Sequence, residues 1–82
     1  MRKVLAANET LTIVVSAKDY ALEKCLIALL EGDIQYRTDQ AVGVADADAF
    51  VLNEDVRTDT ITARNVYIKA GTSGATIQYR VE

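Results

Sequence analysis

Apolar and polar side chains alternate most regularly over residues 65–81. Apolar residues occupy every second position from Val66 to Ala70 and again from Ala75 to Val81, and this period of two is typical of a half-buried strand. The sequence between them is Gly-Thr-Ser-Gly, and two glycines suit a short connecting loop. The pattern predicts a β-hairpin whose apolar side chains share one face, with the cross-strand pairs Ala70–Ala75, Ile68–Ile77 and Val66–Tyr79.

Further strands are predicted upstream of this hairpin. Residues 10–16 are β-branched and alternating, with Leu11, Ile13 and Val15 on one face. The rest of the chain is predicted to contain an N-terminal arm over residues 1–9, a turn at 17–19, a loop crossing from one sheet to the other over 39–48, a short strand over 49–52, a turn over 53–55 and an exposed strand over 56–62.

Residues 20–30 fit two structures. Leu22, Cys25, Leu26, Leu29 and Leu30 lie at helical spacing, and a glycine follows at position 32 where a helix would end. The alternative is a strand over residues 24–30 that is buried on both faces, followed by a Gly-Asp turn into a second strand over 34–38. Periodicity does not separate these structures, because a short continuous apolar run occurs in both.

Composition restricts the class of protein. A chain of 82 residues holds one domain with a small core, which we place over residues 10–82. One cysteine allows no internal disulfide, and the lack of histidine removes the commonest transition-metal ligand. Because a core this small stabilises an isolated chain only weakly, association with other chains is the expected source of additional stability. We therefore expect no cofactor and a homo-oligomer.

Charge and hydropathy exclude other partners. The net charge is −3 and the nine basic residues are dispersed, which argues against binding nucleic acid. No apolar run reaches the length of a membrane span, and the apolar stretch near Met1 is too short for a secretory segment. The sequence predicts neither nucleic acid nor membrane as a partner.

Few residues are candidates for chemistry. Serine- or cysteine-based catalysis of the usual kind needs a histidine base, which the chain lacks. The carboxylate pairs Asp46–Asp48 and Glu54–Asp55 could bind calcium, but their spacing matches no calcium loop. Cys25 lies within an apolar run and is predicted to be a buried hydrophobic residue. The sequence predicts a protein that is not an enzyme and that has no catalytic, metal or cofactor site.

The four tyrosines are candidates for a binding surface. We expect Tyr36 and Tyr79 to lie in the core with their hydroxyl groups at its rim, and Tyr67 to face outward. An aromatic platform that included Tyr20 would suit carbohydrate binding. Such a site needs two or more exposed aromatic residues on one face.

Three segments, residues 25–39, 50–55 and 65–81, resemble the small β-sandwich virion proteins of tailed bacteriophages and prophages. The shared features are a buried strand, a Gly-Asp turn leading into a Tyr-Arg strand, and a final strand that pairs through a Ser-Gly turn. The resemblance implies an all-β fold, a small antiparallel β-sandwich of jelly-roll or immunoglobulin-like type with about six to eight short strands. It also favours the strand over the helix for residues 24–30.

The resemblance implies a structural role in the virion, after assembly in the cytoplasm of the bacterial host. The expected function is that of a capsid decoration or cement protein that binds the major capsid protein or another virion protein. The alternatives are a neck, tail or fibre component, and a host-surface carbohydrate-binding adhesion module. Our candidate interface residues are Arg2, Lys3, Val4 and Leu5, in an arm that would dock on a neighbour, together with Tyr67 and Lys69.

Overall fold

The computed structural model describes residues 1–16, 23–44 and 46–82, and all regular elements within them are β-strands. All strand pairs are antiparallel, and the six strands form one sheet. This confirms the predicted all-β antiparallel class. The predicted turn at 17–19 and Tyr20 lie outside the described residues. The strands are β1 (Arg2–Leu5), β2 (Thr10–Val14), β3 (Glu23–Arg37), β4 (Phe50–Leu52), β5 (Thr58–Ala63) and β6 (Asn65–Val81).

The two long strands β3 and β6 pair along most of their length and organise the sheet. Their ladder runs from Cys25 opposite Val81 to Arg37 opposite Tyr67. A straight strand of the length of β6 would span about 55 Å, whereas the longest dimension of the molecule is 36 Å. Both strands are therefore strongly bent, and the sheet folds back over itself into a β-sandwich-like domain.

The prediction of a hairpin over residues 65–81 is wrong, because these residues form one continuous strand. Residues 71–74 do not reverse the chain. They lie opposite the single residue Asp33, between the pairs Ile34–Ala70 and Gly32–Ala75. Such an irregularity moves the apolar positions from even to odd numbers while keeping them on one face. A hairpin loop has the same effect on the pattern, so alternation alone did not distinguish the two structures.

The prediction of a Gly-Asp turn between two strands is wrong for the same reason. Residues 23–37 form the single strand β3, whose ladder with β6 is shifted between Leu29 and Glu31 and again between Gly32 and Ile34. The helical alternative is also excluded for residues 23–30, because pairing with β5 and β6 overrides the local helical spacing.

Two glycines form the bend where β3 and β6 change direction together. Gly32 and Gly74 have φ angles of +80° and +76°, which side-chain-bearing residues rarely adopt. The backbone is also tightly packed there. A Cβ atom on Gly32 would lie 2.9 Å from the Cα of Ala75, and one on Gly74 would lie 2.6 Å from the carbonyl oxygen of Leu5. Glycine is therefore required at this bend for both reasons.

The bend divides the sheet into two layers that share one core. The first layer contains β1, β5 and the paired segments 23–29 of β3 and 75–81 of β6. The second layer contains β2, β4 and the paired segments 34–37 of β3 and 65–70 of β6. The Tyr36 hydroxyl of the second layer donates a hydrogen bond to the Asp59 carboxylate of the first. The inner faces of both layers supply the buried core, which contains Leu5, Ile13, Val15, Cys25, Ile27, Leu29, Ile34, Tyr36, Leu52, Ile61, Ala63, Val66, Ile68, Ala70, Ala75 and Ile77.

Three shorter segments also differ from expectation. Arg2–Leu5 form edge strand β1 beside β6, whereas we expected them in an arm. The loop after Arg37 leads into the neighbouring strand β4 of the same layer and does not cross between layers. The predicted exposed strand over residues 56–62 is β5, and it contributes Ile61 and Ala63 to the core. Strands β1 and β2 therefore pair with β6, and strands β4 and β5 pair with β3.

Candidate interaction surface

The outer face of β3 in the first layer carries apolar side chains that nothing else in the described chain covers. Along β3, Cys25, Ile27 and Leu29 point into the core, so Leu26, Ala28 and Leu30 point outward. Leu26 and Ala28 are half-buried between their neighbouring strands, and Leu30 is 40% exposed. We call the surface formed by Leu26, Ala28, Leu30 and their outward-facing neighbours Thr58, Thr60, Gln78 and Arg80 the β3 outer face.

An open groove of about 720 Å³ follows this surface. Leu26 and Ala28 form its floor, because they lie on the central strand with β5 on one side and β6 on the other. Its walls are mostly polar, with threonines on the β5 side and Gln78 and Arg80 on the β6 side, where Met1 and Tyr79 also line it. An apolar floor between polar walls is typical of a protein–protein contact surface.

The outer face of the second layer has the opposite character. There the outward residues of β3 are Gln35 and Arg37, and the loop after β3 folds back over them. The Arg37 guanidinium contacts both oxygens of Asp46 at 3.0 Å and Asp39 at 2.8–2.9 Å. The Gln35 side chain donates to the carbonyl oxygen of Asp46 at 3.4 Å. The β3 part of this outer face is therefore polar and is covered by residues of the same chain, whereas Val14 of β2 and Val51 of β4 on the same face are exposed.

Asp46 organises that loop. Its carboxylate accepts hydrogen bonds from the backbone N–H groups of Gly43 and Asp48 as well as from Arg37. These interactions, with the Gly43 bond contributing most, hold the pKa of Asp46 below its ordinary value. The hydrogen bond from Arg37 likewise lowers the pKa of Asp39. Of the two carboxylate pairs considered as calcium ligands in the sequence, one therefore includes a residue, Asp46, that already forms its hydrogen bonds within the protein.

The structure separates the sequence-predicted interface residues into two groups. Arg2, Lys3 and Val4 are exposed on edge strand β1, whereas Leu5 is buried in the core and is not available to a partner. Tyr67 and Lys69 are half-buried on the outer face of the second layer, where each pairs with a residue of β2. Whether either group binds a neighbour stays a prediction.

Sequence reasoning missed Leu26, Ala28 and Leu30 as candidate contact residues. We expected them to be buried as part of a strand enclosed on both faces. The signal was the apolar character of both odd and even positions in this strand, which indicates that both faces are covered. Within the described residues, only the inner face of this part of β3 is covered by the chain itself.

The aromatic residues are dispersed. Tyr36 is 4% exposed, as expected, and Phe50 stacks on it with ring centroids 5.4 Å apart. Phe50 is 61% exposed at the rim of the core, a position that the sequence analysis did not identify. The Tyr79 hydroxyl donates to the sulfur of Met1, and Tyr67 faces outward from the other side of the sheet. Phe50 and Tyr67 therefore lie on opposite faces and do not form one platform.

Cys25 lies in the core, as expected. Its side chain is fully buried, and burial raises the pKa of its thiol. Because the thiolate is the reactive form, this environment makes the cysteine less reactive. Within the described residues, no group of three or more cysteine, aspartate or glutamate side chains is arranged to hold a metal ion.

The comparisons with known proteins assign no family. No family model, curated protein or solved structure matches the chain. Among the described residues there is also no helix that is long and apolar enough to cross a membrane. The candidate interaction surface is therefore identified from the geometry of the β3 outer face and not from relatives.

Proposed function

We propose that this chain is a non-enzymatic structural protein of a bacteriophage virion, and specifically a capsid decoration or cement protein. The observation that carries the proposal is the β3 outer face, where one strand has apolar side chains on both faces and the described part of its own chain covers only one. A strand of this type is typical of a sheet buried on both sides. The second covering layer would be supplied by a neighbouring chain in the particle.

Repeated contact suits a domain of this size. A core built by 82 residues leaves little stability in excess of the ordering entropy. Each contact with a neighbour stabilises the folded state by mass action, and a virion repeats that contact many times. The resemblance to small virion proteins adds less support, because the Gly-Asp and Ser-Gly segments that contribute to it lie within the continuous strands β3 and β6 and are not turns. A neck, tail or fibre position would use the same surface and is the nearest alternative.

The arrangement of aromatic residues does not favour a carbohydrate-binding adhesion module. Sugar recognition of that kind uses aromatic side chains that share one face. In the described part of the chain, the exposed Phe50 and the half-buried Tyr67 project from opposite faces of the sheet. We therefore favour the virion role over a carbohydrate-binding adhesion role.

Co-sedimentation tests the proposal. Purified protein is mixed at micromolar concentration with expanded phage heads that lack it, and the pellet is analysed. We expect the wild-type protein to pellet in fixed proportion to the shell subunit, and Leu26→Asp to pellet several-fold less because a charge on the groove floor opposes burial. Thr12→Asp is the matched control, since Thr12 is exposed on β2 in the other layer. Wild-type protein that stays in the supernatant would overturn the proposal.

A further inference from the structure

The β3 outer face has a charge of opposite sign at each end. Along the strand, the outward positions run from Lys24 through Leu26, Ala28 and Leu30, and Glu31 follows at the bulge. Glu31 pairs with Thr76, which also pairs with the exposed Val4 of β1. The surface therefore has a basic end, an apolar middle and an acidic end.

These two end charges have no ion-pair partner in the described part of the chain. Lys24 and Glu31 are both exposed, and neither takes part in a salt bridge. Arg80 lies beside Leu26 and adds to the basic end. Arg80 does contact Glu82, at 3.4 Å, but both side chains are exposed and such pairs contribute little. Lys24 and Glu31 are therefore the clearest charges for recognition of a partner.

We propose that the β3 outer face binds the same face of a second copy of this chain, with the two β3 strands antiparallel across the contact. The inference rests on the proposed role of this face as a contact between chains, and it names the neighbouring chain. A two-fold axis crosses β3 midway between Leu26 and Ala28. Because the bulge sets Glu31 opposite Thr76, only two ladder positions beyond the Ala28–Gln78 pair, this axis places Lys24 against Glu31 of the partner subunit. It also places Leu26 against Ala28 of the partner subunit.

The charge pattern selects this arrangement over the alternative. If the two-fold axis ran along β3 instead, Lys24 would face lysine and Glu31 would face glutamate, and both contacts would be repulsive. With the axis across β3, both end contacts are attractive. The small Ala28 of each copy accommodates Leu26 of the other between two stacked sheets, whose usual separation is about 10 Å. A surface that is complementary to itself in this way is the signature of an isologous dimer.

Analytical ultracentrifugation without phage heads tests the dimer. Wild-type protein is expected to change from monomer to dimer across a micromolar-to-millimolar series. Lys24→Glu and Glu31→Lys each turn two attractive contacts into repulsive ones, so each should weaken dimerisation about tenfold or more. The double variant K24E/E31K restores both contacts, and an equimolar mixture of the two single variants should form a heterodimer. Glu54→Lys, which makes the same charge change as Glu31→Lys at an exposed residue just after β4, is the control and should dimerise like the wild type.

The outcomes separate this inference from the proposed function. A wild-type protein that stays monomeric throughout the series would overturn the dimer, as would single variants that dimerise normally or a mixture that fails to associate. A monomer that still pellets with heads would leave the virion role in place. A dimer that does not co-sediment with phage heads would contradict the virion role but not the dimer. Circular dichroism of each variant confirms that loss of association is not loss of fold.

Discussion

Strand β3 passes through both layers, and its outer face differs between them. In the second layer it presents Gln35 and Arg37, and the loop that follows the strand covers them with Asp39 and Asp46. In the first layer it presents Leu26, Ala28 and Leu30, and no described part of the chain covers them. The inner faces, in contrast, are apolar in both layers and form one core.

The two outer faces of β3 differ in what can cover them. Polar side chains on an outer face can be satisfied by a loop of their own chain or by water. Apolar side chains on a central strand are stabilised only by another apolar surface. Because both halves of β3 belong to the same strand and the same chain, the contrast does not arise from strand propensity. This contrast is the reason we propose the outer face of the first layer as the contact surface for a second chain.

The largest expected effect compares the two faces of β3 within the first layer. Ile27→Ala removes a core side chain that is 2% exposed, and it should lower the free energy of unfolding by about 3 to 4 kcal/mol. Leu26→Ala, one residue away on the outer face, should cost about 1 kcal/mol or less in dilute monomer. Urea unfolding measures both. Equal losses would show that the outer face is already covered within one chain.

The bend that creates the two layers is the next target. Gly32→Ala forces a side chain onto a residue with φ of +80° and places its Cβ against the backbone of Ala75, so we expect a loss of about 2 to 3 kcal/mol. Gly43→Ala is the matched control, because the nearest atom to its new Cβ is 3.7 Å away. If both variants unfold at the same urea concentration, the bend does not depend on glycine.

Much of the fold could be predicted from the sequence because it is encoded locally. Alternation identified residues 10–16 and 65–81 as strands, and it assigned Ile13, Val66 and Ile68 to the buried face, as the structure confirms. The pairing of the strands was predicted less well. A shift of the apolar positions by one residue accompanies both a hairpin and a bulge, and only contacts with distant strands decide between them.

The candidate site was predictable only in part. The apolar residues on both faces of residues 24–30 indicated two covered faces, but the sequence did not show that residues 1–16, 23–44 and 46–82 cover only one of them. The sequence analysis also did not predict that the loop containing Asp46 covers β3 on the outer face of the second layer. This cover depends on the conformation of a loop whose hydrogen bonds involve Gly43 and Asp48, and such geometry leaves no periodic signal.

A smaller effect tests the link between the two layers. Tyr36→Phe removes the hydroxyl that donates to Asp59, and it should lower the free energy of unfolding by about 1 to 2 kcal/mol. Burial and this hydrogen bond raise the pKa of Tyr36, so its contribution is fully present below the ordinary value of 10.0 and is lost as pH rises above it. Tyr67→Phe is the control, since the Tyr67 hydroxyl makes no hydrogen bond within the described residues. Identical alkaline unfolding of wild type and Tyr36→Phe would contradict this assignment.

The smallest effect concerns the loop that covers the second layer. The folded pKa of Asp46 lies below its ordinary value of 3.8, so its carboxylate stabilises the fold at pH above 3.8, and this contribution is lost as pH falls through the lowered value. Asp46→Asn should therefore lower the melting temperature modestly near neutral pH and reduce its dependence on acid. Asp48→Asn makes the same change in the same loop without removing a side-chain hydrogen bond, and it should follow the wild type. If Asp46→Asn keeps the full acid dependence, the loop is held by its backbone, and the Asp46 carboxylate is not what covers Arg37 on the outer face of the second layer.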